Sequence, residues 1–246
     1  MSSPFRAAIF SKSIASLDQA PASAAEIAFA GRSNSGKSSA INALFGRKLA
    51  AVSKTPGRTR LINYYALGDE RFVVDLPGYG YAKVPASTRA PWEELLGGYL
   101  TMRASLVGLA LMMDVRHPLT ELDLRMLAWF LPTGKPVHVL LTKADKLSRE
   151  AARGTLRGVE EELARFAPGI SVQLFSSLKK TGLEQAAAVF RGWLSEGPNE
   201  NPRQDRGSEI KAPGLKGEIS PGQNALRFKA PRSGRRSGRR PKPSTA

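Results

Sequence analysis

Residues 31–38 read Gly31, Arg32, Ser33, Asn34, Ser35, Gly36, Lys37 and Ser38. Two glycines, a lysine and a serine at this spacing fit a loop whose successive backbone N–H groups curl around a polyphosphate. The context suits it. Ile27, Ala28, Phe29 and Ala30 form an apolar run before the loop, and Ser38, Ile41, Leu44 and Phe45 recur after it with a helical period. The start of such a helix adds partial positive charge to the cradle. Gly31 and Gly36 let the backbone come close and take unusual dihedrals. Lys37 can reach the β/γ-phosphates, and the Ser38 hydroxyl can ligate Mg²⁺. By itself the stretch says only phosphate.

Three further stretches narrow the chemistry. Asp75, Leu76, Pro77 and Gly78 close an apolar strand. An acid there can hold a Mg²⁺ shell through water, and Gly78 can offer its N–H to a γ-phosphate. Thr142, Lys143, Ala144 and Asp145 follow a second apolar strand. The Asp145 carboxylate can accept from N1–H and the exocyclic amine of guanine; adenine lacks that donor pair, which would leave the carboxylate unpaired. The Lys143 stem can lie along the base plane. Phe175, Ser176 and Ser177 end a third strand, where backbone N–H groups can reach guanine O6. Four such stretches at the strand ends of one parallel sheet favour a guanine nucleotide over ATP.

The elements that must position these loops alternate. Strands are expected at about 27–30, 61–67, 71–74, 106–115, 136–141 and 170–175, and helices at about 37–45, 92–100, 120–130, 148–166 and 182–194. Gly68, Asp69 and Glu70 mark a hairpin, and the near-continuous apolar run at 106–115 suits a strand buried on both faces. Thr120 is the expected cap of its helix, with Asp123 three residues on as a shortened capping box. The pattern predicts an α/β fold with a mostly parallel sheet of six strands, one antiparallel strand at its edge and helices on both faces. Residues 1–24 read as an extension packed loosely on the domain, residues 25–196 as the domain, and residues 197–246 as a basic tail.

Composition sets limits. The 246 residues contain no cysteine, which excludes disulfides, thiolate zinc and a cysteine nucleophile, and only two histidines, His117 and His138, which argues against a multi-histidine metal site. No window reaches the roughly 18 apolar residues of a membrane span, and the N-terminal apolar patch is too brief for a secretory signal. A cytoplasmic protein is expected. The net charge of +16 calls for a polyanionic partner. Residues 197–246 carry twelve Lys/Arg against four Asp/Glu, half of that surplus, with seven Pro and seven Gly, and are expected to be disordered. The tail either docks electrostatically on a nucleic acid or serves solubility alone.

These stretches carry a resemblance. The run from Gly31 through Ser39, then Ser53-Lys54-Thr55-Pro56-Gly57-Arg58-Thr59, Asp75-Leu76-Pro77-Gly78-Tyr79-Gly80-Tyr81-Ala82, Thr142-Lys143-Ala144-Asp145 and Ser177-Leu178-Lys179-Lys180 are similar to the EngB/YihA/YsxC GTPases, in the TrmE–Era–EngA–septin branch of P-loop GTPases. The likeness spans about residues 5–195. It implies a GTP-hydrolysing switch in assembly of the large ribosomal subunit, needed for normal division and septation. The partners implied are GTP and GDP, the large subunit or its precursor, and ribosomal RNA; a monomer is expected. Thr59 would join Ser38 on Mg²⁺, and Gly57, Arg58, Thr59, Arg60 and Leu61 would close over the nucleotide. Many GTPases place a water-orienting glutamine where this chain has Tyr79, so hydrolysis should be slow, with Lys37 and Thr59 supporting it. Asn34 stands where related cation-activated GTPases bind K⁺, or is simply a turn residue. Tyr79, Tyr81 and Lys83 either present an RNA-facing surface or pack their loop. An alternative function is a nucleotide-gated RNA- and ribosome-binding module with negligible hydrolysis.

Overall fold

The structure, a computed structural model, describes residues 4–51, 61–79 and 86–198. Among the described residues seven strands make one sheet: β1 (Ile9–Ile14), β2 (Ala25–Gly31), β3 (Ile62–Gly68), β4 (Arg71–Asp75), β5 (Leu106–Asp114), β6 (Val137–Thr142) and β7 (Ser171–Leu174). Their order is β1-β3-β4-β2-β5-β6-β7. The helices are α1 (Lys37–Phe45), α2 (Ala86–Met102), α3 (Glu121–Phe130), α4 (Arg149–Phe166) and α5 (Leu183–Glu196). Every residue of β2, β5 and β6 is buried, as parallel strands covered on both faces must be. Two apolar clusters do the covering. One gathers side chains of α2, α3 and α4, the other those of α1 and α5. None of the described helices is long and apolar enough to cross a membrane.

Seven strands stand where six were expected. The additional one is β1, from the stretch read as a loose extension. It pairs antiparallel with β3, the strand that runs against its neighbour β4, and so lies outside the expected antiparallel edge. Five of its six side chains are exposed and only Ile14 is buried, so no alternation of apolar residues announces it. Backbone pairing defines it instead, reinforced by the Ser13 hydroxyl donating to Asn63 Oδ1 at 2.6 Å. Just before it, Phe5 is fully buried, its ring 6.4 Å from that of Phe190 on α5 and nearly perpendicular to it.

At the pole where β2 begins, an acid sits inside an apolar strand. Glu26 is fully buried. It accepts from the Tyr99 hydroxyl at 2.7 Å, from Arg103 Nε at 2.8 Å and from the Ser105 hydroxyl at 3.0 Å. A buried carboxylate survives only with such partners, and these tie the end of α2 to the sheet. At the opposite pole, register brings the strand ends level: Phe29 pairs with Asp75, Gly31 with Met112, Asp114 with Thr142 and Leu141 with Leu174. The loops that leave these ends share one rim.

Phe5→Ala should lower unfolding stability by about 3–5 kcal/mol, the usual loss for a large core aromatic, as read from urea denaturation. A change below about 1 kcal/mol would mean that the extension is only loosely attached.

Candidate functional site

The rim begins where β2 stops. A Cβ on Gly31 would lie 2.8 Å from the Met112 carbonyl oxygen and would also collide with the Ser35 hydroxyl, so the chain can turn there only as glycine. Asn34 follows at φ +64° and Gly36 at φ +91°, the latter capping α1; asparagine and glycine are the residues that best tolerate that region. The Ser35 N–H donates to the Arg32 carbonyl at 2.9 Å. The Ser35 hydroxyl is buried without a hydrogen-bond partner among the described residues. Lys37 opens α1, and its ammonium pairs with the Asp75 carboxylate at the end of β4. Both side chains are largely shielded, 11% and 6% exposed, so the attraction acts at low dielectric. The pair can be traded for phosphate oxygens on the lysine and a hydrated cation on the acid. Ser38, in the same first turn, is half-buried. Leu76 and Pro77 are buried, and Gly78 lies against the loop, where an added Cβ would sit 3.4 Å from Ser33 Cα.

The other end of the rim is built on β6. The Thr142 hydroxyl reaches the carbonyls of Met113, at 3.1 Å, and Ser35. Lys143 takes φ +58°, and its ammonium lies 2.6 Å from the Asn34 carbonyl and 3.0 Å from Asp114 Oδ2. Ala144 N–H donates to the Phe175 carbonyl at 3.1 Å. Asp145 accepts from the Ser176 hydroxyl at 2.6 Å, and Ser176, fully buried, accepts in turn from the Lys179 N–H at 3.1 Å. The Asp145 carboxylate is thereby oriented with lone pairs to spare. Phe175 is buried, Ser177 half-buried. Residues 31–38, 75–78, 142–145 and 175–177 thus lie together, as their spacing along the chain requires. Leu61 is exposed at the start of β3; Gly57, Arg58, Thr59, Arg60, Tyr81 and Lys83 lie outside the described residues.

Tyr79 points inward. It is 5% exposed, and its hydroxyl donates to Asp123 Oδ1 at 3.0 Å. Of the two roles left open for it, packing is the one its side chain fills. Its backbone forms a bridge with the loop: the Ser33 N–H donates to the Tyr79 carbonyl at 2.8 Å and the Tyr79 N–H to the Gly31 carbonyl at 3.4 Å. Asp123 also accepts from the Thr120 N–H at 3.0 Å and hydroxyl at 2.7 Å, completing the expected capping box, and Arg32 Nε lies 3.7 Å from it. Burial raises the Asp123 carboxyl above its ordinary value despite these partners.

Asp114 was missed in the sequence. Burial would raise its carboxyl, but the Arg116 guanidinium at 2.7 and 2.9 Å, the Arg116 N–H and Lys143 hold it well below the usual carboxylate range. An acid ending an apolar strand two residues before an arginine was the available signal. Among the described residues no three His, Cys, Asp or Glu gather as a metal-binding group, so a cation here would depend on hydroxyls, water and the ligand's own oxygens.

Behind the Ser176 turn, His138 is buried. Gln173 donates its amide to the Gly182 carbonyl at 2.7 Å, so its oxygen, 2.9 Å from His138 Nε2, accepts from the ring, and Nδ1 lies 2.7 Å from the Ser171 hydroxyl. Burial lowers the pKa of the ring below the ordinary value, against the opposing hydrogen bond to Gln173. The unfolded chain binds a proton below about pH 6.5 that the folded ring resists. This contribution is therefore complete above that pH and is lost as pH falls from there through the lowered folded value. The melting temperature should drop between pH 7 and 5, and His138→Gln should flatten that slope; parallel slopes would contradict a ring that resists its proton on burial.

A sequence profile for the family described as 50S ribosome-binding GTPase matches residues 26–143. With the fold and the rim loops, it defines a P-loop GTPase. A probable GTP-binding protein EngB from Azoarcus sp. (strain BH72) is 60% identical over 193 residues, covering 77% of this chain and 92% of that protein. Its namesake from Dechloromonas aromatica (strain RCB) is 52% identical over 212 residues, covering 83% and 96%. The chain belongs to the EngB family of GTP-binding proteins. A crystal structure of a probable GTP-binding protein engB shares the fold, with a TM-score of 0.57 at 20% identity over 70% of this chain and all of that one.

Proposed function

We propose that the rim holds GTP or GDP with Mg²⁺, and that hydrolysis there switches a factor for assembly of the large ribosomal subunit. The observation that carries this is the Lys143 ammonium, which joins the Asn34 carbonyl of the phosphate loop to the Thr142–Asp145 turn. A base-reading carboxylate and a phosphate cradle are thus held as one unit. The ribosomal part draws support from the description of the matching family and from the +16 net charge. Normal division and septation would follow from that work in the cytoplasm, by a monomer whose domain spans residues 25–196 with the N-terminal strand added. The basic tail, residues 197–246, would dock on RNA.

In this scheme the backbone of residues 31–38 and the Lys37 ammonium bind the phosphates. The donors fit Mg²⁺: Ser38 would ligate it directly, Thr59 would add a second hydroxyl, and Asp75 would hold its water shell. Mg²⁺ would supply positive charge beside the β- and γ-phosphate oxygens. Residues 57–61 would close over the nucleotide, and the Gly78 N–H would meet the γ-phosphate. Asp145 reads the guanine edge, the Lys143 stem lines the base, and residues 175–177 present N–H groups to O6. Asn34 would bind K⁺ as an added charge. Tyr79 commits its hydroxyl to Asp123 and so does not orient water, which makes intrinsic hydrolysis slow. The same observation favours a second role, a nucleotide-gated ribosome-binding module with negligible turnover; single-turnover hydrolysis with and without large-subunit precursors separates the two.

Asp145→Asn should weaken GDP binding by about 100-fold and improve binding of xanthosine diphosphate, whose altered edge suits an amide, in a direct titration. Unchanged guanine preference would remove Asp145 from the base site. GTP turnover should be faster in K⁺ than in Na⁺ at matched ionic strength; equal rates would free Asn34 from that role. Co-sedimentation with large subunits should be stronger with a GTP analogue than with GDP, and indifference to nucleotide would count against a switch.

A further inference from the structure

We infer that Asp123, on α3, is a positioning residue that sets where Gly78 sits relative to the phosphate loop. The inference rests on the assignment of the rim as a GTP site. A capping residue in the first turn of a helix ordinarily lies at the surface, and one carboxylate oxygen suffices for the cap. Asp123 is fully buried. Its Oδ2 serves α3 by accepting from the Thr120 N–H and hydroxyl. Its Oδ1 serves a different segment, accepting from Tyr79 at 3.0 Å. The nearby cation, with Arg32 Nε 3.7 Å from Oδ2, belongs to the phosphate loop itself. One carboxylate therefore touches all three parts whose mutual placement decides whether Gly78 can meet a third phosphate.

The consequence is mechanical. Tyr79 is fixed at its side chain by Asp123 and at its backbone by Gly31 and Ser33. Gly78, one peptide earlier, has little freedom left, and it rests on Ser33. Moving Gly78 outward withdraws the Tyr79 hydroxyl and leaves Asp123 Oδ1 buried without its donor. A buried polar group left unpaired is unfavourable in a way that partial motion does not relieve. α3 thereby holds Gly78 against the phosphate loop in the arrangement seen here.

The test uses the full chain with Tyr79→Phe, Asp123→Asn, the double variant and Thr120→Ala. Single-turnover GTP hydrolysis, affinities for GDP and a non-hydrolysable GTP analogue, and melting temperature are measured for each. Tyr79→Phe should lower hydrolysis and analogue affinity roughly fivefold or more, as expected for one lost hydrogen bond, with GDP affinity within twofold of wild type. Asp123→Asn should shift them in the same direction. The double variant should lose less than the product of the two single losses, because the Tyr79–Asp123 contact is common to both variants. Thr120→Ala, which loosens only the cap, should lower the melting temperature and keep the analogue-to-GDP ratio. If Asp123→Asn does not fold, Tyr79→Phe, lacking a single oxygen, carries the test alone. Hydrolysis and analogue-to-GDP ratio both within twofold of wild type in Tyr79→Phe would overturn the inference, as would losses that multiply in the double variant. A wild type that binds no guanine nucleotide would instead overturn the assignment of the rim, and the inference with it.

Discussion

The ammonium of Lys143 is shared between a loop carbonyl, at Asn34, and a strand-end carboxylate, at Asp114. That sharing joins β2, β5 and β6 at their tips. Lysine at φ +58° is in a region that non-glycine residues enter at some energetic cost, and two charge-assisted contacts offset it. Arg116 keeps Asp114 ionised from its other side, so the carboxylate stays an acceptor for the lysine across the physiological range. The two ends of the rim are consequently held together.

Two buried carboxylates illustrate how the same chemistry serves different ends. Glu26 is satisfied by Tyr99, Arg103 and Ser105, all within or just after α2, and does no more than fasten that helix end to the sheet. Asp123 has its donors split between a helix cap and a segment of the rim. Burial is equal in the two; what differs is whether the partners belong to one element or to several. A contact within one element stabilises, whereas a contact between movable elements also couples them.

That the loops at 31–38, 75–78, 142–145 and 175–177 would meet was legible from residue types, because each follows an apolar strand and a parallel sheet levels its strand ends automatically. Gly31, Lys37, Asp75 and Asp145 had nowhere else to be. The cap of α3 was legible for a similar reason, Thr120 and Asp123 being local partners three residues apart. What escaped was decided by distant pairing. β1 exposes five of its six side chains, so its identity as a strand lies in backbone bonds to β3, fifty residues away at Ser13 and Asn63. Tyr79 looked equally suited to an outward or an inward role until Asp123 was seen behind it. Asp114 carried a weak signal, an acid beside an arginine, which gains meaning only once Lys143 arrives from the next strand.

The ring of Phe5 against Phe190 has a consequence for synthesis. The two aromatics come from opposite ends of the folded unit, so the first buried side chain waits for nearly the last. During translation the N-terminal strand emerges long before β3, which it pairs with, and longer still before α5, which covers the residue ahead of it. Contacts so far apart in sequence make closure slow, and a nascent chain halted short of α5 would leave Phe5 and the part of the sheet face beyond the cover of α1 without their partners. Such exposed apolar surface is what chaperones engage and what aggregates. A protein proposed to help build ribosomes thus completes its own fold only when most of its length has already left one.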